Sequence, residues 1–106
     1  MFATDAEWEY PAIKDIPFAG PRRGSEDIRR FFDLLLEVEE PLDFQQKEFV
    51  AQADRVVVLG TYRARVKSTG RTYESRFAHV WTIRGGKLQR FEIYFNTVAV
   101  AEAYRK

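Results

Sequence analysis

The chain has 106 residues, with 17 Lys and Arg against 16 Asp and Glu, one His and no Cys. That length accommodates one domain around one core, and the near-neutral balance is not that of a chain built around a polyanion. The lack of Cys and the single His exclude disulfides, thiolate catalysis, Cys-built zinc sites and multi-histidine metal sites. An apolar content of 45% and an aromatic content of 15% suit a packed globule and argue against disorder.

The N-terminal MFATDAEWEY has neither a basic start nor an apolar run. No stretch approaches the roughly 18 apolar residues of a spanning helix. The expectation is a soluble cytoplasmic protein forming one domain over residues 1–106.

In chain order, Glu7-Trp8-Glu9-Tyr10 alternates charge and ring and predicts a short strand stopped by Pro11. Residues 11–24 hold Pro11, Pro17, Gly20, Pro21 and Gly24 and predict a long loop. Ser25 suits a helix N-cap, with Glu26 and Asp27 favourable in the first turn. Ile28, Phe31, Phe32, Leu35 and Val38 then recur at helical spacing and predict a buried face on a helix over 25–39, ended by Pro41. Strands follow over Phe44–Ala51, Arg55–Lys67, Thr72–Arg84 and Lys87–Asn96, with turns at Ser68-Thr69-Gly70-Arg71 and Gly85-Gly86. Val98–Tyr104 reads as a short helix or frayed tail.

Period-two alternation sorts the strand side chains into two faces. One carries Tyr62, Phe77, His79, Trp81, Ile93 and Phe95 and must meet the helix. The other carries Val57, Leu59, Thr61, Ala78, Val80, Leu88 and Tyr94, ringed by Arg63, Arg65, Arg76, Arg84 and Glu92. The expected fold is α+β: a curved antiparallel sheet, a half-barrel, packed against helix.

Four short patterns occur in order: Gly24-Ser25-Glu26-Asp27-Ile28-Arg29-Arg30-Phe31-Phe32, Thr69-Gly70-Arg71-Thr72-Tyr73, Gly86-Lys87-Leu88 and Tyr94-Phe95-Asn96-Thr97. Over nearly the whole chain these resemble the SnoaL-like branch of the nuclear-transport-factor-2-like superfamily, whose fold is a cone-shaped half-barrel. The resemblance is specific for fold. It is loose for function, because the superfamily holds isomerases, polyketide cyclases, dehydratases, hydrolases and non-catalytic binders. Members normally begin with a long helix across the open end of the cone, and the match here starts just after it.

Where ketosteroid isomerase has its aspartate base, the matching residue is Tyr10, a poor base at pH 7 with its ordinary pKa near 10. Where that enzyme has a protonated aspartate in its oxyanion hole, the matching residue is His79. The three acting positions of limonene epoxide hydrolase correspond to Gly60, Tyr62 and Ile93, so that mechanism is lost. Asn96 stands where many relatives have Asp. His79 is therefore the candidate general acid/base, with Tyr10 beside it. Its alternative is a core histidine bonded to backbone or Tyr.

Trp8, Tyr10, Phe31, Phe32, Leu35, Tyr62, Phe77, His79, Trp81, Ile93 and Phe95 are expected to line one pocket for a small hydrophobic molecule. No cofactor or metal is implied. Asp5 and Asp15 are expected in solvated loops. The basic run Arg63, Arg65, Lys67, Arg71, Arg76 and Arg84 lies mostly opposite the aromatic face, so no stacking platform accompanies it and no nucleic-acid partner is expected. The apolar centre of that face predicts a homodimer through the convex sheet. The competing reading is a non-catalytic dimeric interaction domain whose cone is filled by its own side chains.

Overall fold

A computed structural model describes residues 2–106. The elements are β1 (Phe2–Glu9), β2 (Arg22–Arg23), α1 (Ser25–Val38), β3 (Glu39–Gln52), β4 (Arg55–Val66), β5 (Thr72–Arg84), β6 (Lys87–Phe95) and α2 (Thr97–Tyr104). The six strands form one curved, unclosed sheet in the order β2-β1-β6-β5-β4-β3. The fold is α+β as expected, but the sheet is mixed, because β1 pairs with β6 in parallel while the other ladders are antiparallel. Alternation assigns residues to faces, and nothing in it fixes the direction in which a distant strand docks.

Helix α1 starts differently from the capping expectation. Gly24 is the cap, in the left-handed region at φ 86°, and no side chain bonds there. Asp27 instead accepts from the Arg22 guanidinium at 3.0 Å and the Arg23 backbone N–H at 3.2 Å, tying the first turn to β2. The helix stops at Val38, before Pro41, because the chain enters β3 at once; Pro41 is itself a β3 residue. Ile28 and Phe31 are buried. Phe32 is not the buried residue expected, being 45% exposed at the edge of the helix face.

The loop after β1 is part of the core. Ile16 and Phe18 from it are buried with Ala6, Ile28, Ala64, Val66, Val100 and Ala103. Asp5 lies within β1 and is exposed, and Asp15 is exposed in the loop. The C-terminal segment is helix α2, and Asn96 is its N-cap, accepting from the Ala99 N–H at 3.0 Å.

Irregularities in β3 and β6 set which way side chains point. In β3, the ladder to β4 skips between Pro41 and Asp43 and between Gln46 and Glu48, so Pro41, Phe44 and Gln46 all pair with residues of the concave face. In β6, Thr82 pairs with Arg90 but Ile83 with Leu88, leaving Gln89 as an extra residue. An added residue reverses the alternation beyond it. Leu88 therefore leaves the convex face, where simple alternation puts it, and packs into the core at 7% exposure.

Candidate functional site

Inside the cone is a cavity of about 520 Å³. Helix α1, β1 and the concave faces of β3 to β6 supply its walls, with Val100 of α2. All eleven residues expected to share one pocket line it, joined by Leu36, Pro41, Phe44, Gln46, Tyr73, Ser75, Phe91 and Val100. The cone is open rather than filled.

Its walls are rings in two near-parallel sets. Phe77 stacks on His79 at 4.0 Å, and Phe44 lies near-parallel to Phe77 at 5.3 Å. Trp8 stacks on Phe91 at 4.0 Å. These stacks follow from strand pairing: Phe77 and His79 are two residues apart on one face of β5, and Trp8 of β1 lies beside Phe91 of β6 in the parallel ladder. Phe44, 51% exposed, and Phe32 stand where the cavity meets solvent.

His79 is 8% exposed, and its Nδ1 is buried without a hydrogen-bond partner among the described residues. Burial among rings disfavours the imidazolium and pulls the imidazole from its ordinary 6.5 down to about 4. It is therefore neutral at physiological pH. The Trp8 Nε1 is likewise buried and unpartnered. Tyr10 follows β1 and packs against Phe18, Phe31 and Phe95. Burial first, then the charge of Glu39, pushes its phenol well above the ordinary range, so it serves as a donor and not as a base.

The residue that alternation and resemblance both missed is Glu39. It is the first residue of β3 and is fully buried. Its Oε2 accepts from the Tyr62 hydroxyl at 2.7 Å and from the Tyr73 hydroxyl at 2.8 Å. Its Oε1 accepts from the Tyr104 hydroxyl at 2.5 Å and lies 2.9 Å from that of Tyr73. Burial, followed by the Glu39 charge and hydrogen bond, raises all three phenols far above their ordinary value. In the sequence, Glu39 stands beside Glu40 just after the last apolar residue of the helix face, and nothing local marks it as buried. Only the hidden tyrosines at 62, 73 and 104 reveal its place.

A second, more open depression of about 500 Å³ lies between the proline loop and the end of β6. Its charged lining residues already pair with one another: Arg90 contacts Glu92 at 3.5 Å and Glu9 at 3.9 Å. The basic residues are similarly engaged in part. Arg65 pairs with Glu40, Arg84 with Asp54, and Arg71 reaches the carbonyls of Glu102 and Arg105.

With this geometry the chain belongs to the SnoaL-like domain family, whose model matches residues 1–91. Among solved structures it is similar to an NTF2-like protein from Burkholderia xenovorans LB400, at 36% identity and a TM-score of 0.89 over 98% of this chain and 78% of that one. An NTF2-like protein from Burkholderia thailandensis E264 matches at 31% identity and a TM-score of 0.87, over 99% and 80% of the two chains. TerC, co-crystallised with polyporic acid, matches at 34% identity and a TM-score of 0.83, over 96% and 78%. No curated protein matches the sequence.

Proposed function

We propose that the cone binds one small, flat, largely apolar aromatic molecule, with His79 and Tyr10 as polar contacts. The observation that carries this is the open cavity of about 520 Å³ walled by stacked rings, with a histidine whose buried Nδ1 has no hydrogen-bond partner among the described residues. A cavity of this kind matches small-molecule sites in size and in its few convergent polar groups. That TerC was co-crystallised with polyporic acid supports the ligand class.

Binding is favoured over turnover by the chemistry of His79. Among the described residues no carboxylate contacts it, and a pKa of about 4 makes it a weak base at pH 7. A catalytic reading of cyclase, isomerase or dehydratase type has one supporting observation: the imidazole is neutral at pH 7 and so able to accept a proton. Calorimetric titration with polyporic acid tests the proposal. Saturable one-to-one binding is expected, weakened in an Ile93→Trp variant that narrows the cavity. Absence of binding in the unmodified protein, or full binding in that variant, would overturn it.

We infer further that the protein pairs with a second copy through the convex face. Val57 pairs with Val80, Leu59 with Ala78, and Ala78 with Tyr94, giving an apolar centre on the exposed side of the sheet.

A further inference from the structure

Glu39 decides the hydrogen-bonding sense of one end of the cavity. Among the described residues no Lys or Arg pairs with this buried carboxylate, and three phenols supply its partners. A phenol has one O–H to give. Tyr62 and Tyr73 both line the cavity, and both spend that proton on Glu39. What their oxygens retain is lone pairs. Tyr10 also lines the cavity, and Glu39 acts on its phenol through charge.

We propose that the Tyr62–Tyr73–Glu39 cluster is a specificity element that accepts a hydrogen bond from the ligand, so that the preferred ligand carries a phenolic or enolic O–H at that end of its ring system. The inference rests on the reading of the cavity as a ligand site. A hydroxyl placed there donates to a phenol oxygen polarised by the carboxylate behind it, and bonds in such a chain reinforce one another. An ether or carbonyl oxygen at the same place faces lone pairs and has no donor to meet. Turning a tyrosine proton toward such a ligand would strip a charge-assisted bond from a buried carboxylate, which is the costlier exchange. The high pKa values of both phenols, raised by burial and then by Glu39, keep those protons in place.

The test compares 2-naphthol with 2-methoxynaphthalene, two flat probes of which only the first can donate, by calorimetric titration of the whole protein. The expected preference for 2-naphthol is roughly ten-fold or more, the factor that one ordinary hydrogen bond confers. It should persist in His79→Phe and shrink at least about three-fold in Tyr62→Phe, since one of the two acceptor oxygens is gone. In Glu39→Gln the side-chain amide can donate to the phenols and free their protons, so 2-methoxynaphthalene should gain. If that variant fails to fold by circular dichroism, the Tyr62→Phe result decides. Equal binding of the two probes would overturn the acceptor assignment and leave the cavity reading standing. A preference lost in His79→Phe and kept in Tyr62→Phe would also overturn it, by moving the contact to the imidazole. Binding of neither probe would overturn both readings.

Discussion

His79 lies between the Phe77 ring at 4.0 Å and the edge of Phe91 at 4.9 Å, and burial is what lowers its pKa. Its low pKa is a statement about stability. In the unfolded chain the imidazole takes a proton near 6.5, while in the folded chain it does so only near 4. Between those values the unfolded state binds more protons. The contribution of His79 is thus fully present above pH 6.5, falls as pH drops through the window, and levels off below about 4. The limiting slope for one such group is about 1.4 kcal/mol per pH unit. Urea unfolding at several values between pH 7.5 and 4.5 should show this decline, and His79→Gln should remove one proton's worth of it. An identical slope in the variant would show that other groups govern the acid response.

Among the elements, β3 and β6 show how a single inserted residue redirects side chains. Leu88 was readable as convex only under unbroken alternation, and the extra Gln89 places it in the core. Gly60 of β4 marks a second constraint, a close approach of neighbouring chains. A Cβ added there would come within 1.9 Å of the Gln45 carbonyl oxygen and 2.6 Å of the Phe77 ring. The first of these is backbone and cannot swing aside. Gly60→Ala should therefore push β3 from β4 or tilt Phe77 into the cavity, costing about 1–3 kcal/mol. Thermal unfolding checks the loss, and naphthol affinity should fall with it because the stack of Phe44, Phe77 and His79 is disturbed. A variant as stable as the parent would mean that the ladder between Gln45 and Thr61 yields freely.

For the whole molecule, the convex face sets the proposed association. Its apolar centre is bordered by Arg63, Arg76 and Glu92, so a two-fold contact would bury Val57, Val80 and Ala78 and leave charges at the rim. Sedimentation should report about twice the 12.4 kDa of one chain. Val80→Glu should dissociate the pair, since an unpaired charge buried at an interface costs on the order of 3–5 kcal/mol. A monomer in the unmodified protein would refute the pairing.

Much of this architecture is local and therefore legible in the sequence. Thr72–Val80 alternates without interruption, so this stretch and its two faces follow from period alone, and Gly85-Gly86 supplies the left-handed turn that joins the strand to β6. The same periodicity gathers Tyr62, Phe77, His79, Trp81, Ile93 and Phe95 onto the concave side, because along an unbroken strand a side chain's face follows from its position. What periodicity cannot carry is the relation between distant segments. The parallel docking of β1 on β6, the bulge that turns Leu88 inward, and the meeting of Glu39 with Tyr62, Tyr73 and Tyr104 each join residues far apart in the chain. The sequence determined the family, the strands and the aromatic face. Tertiary structure decided that the cone is hollow and that a carboxylate lies buried behind its tyrosines, because a void and a buried charge are properties of packing between elements.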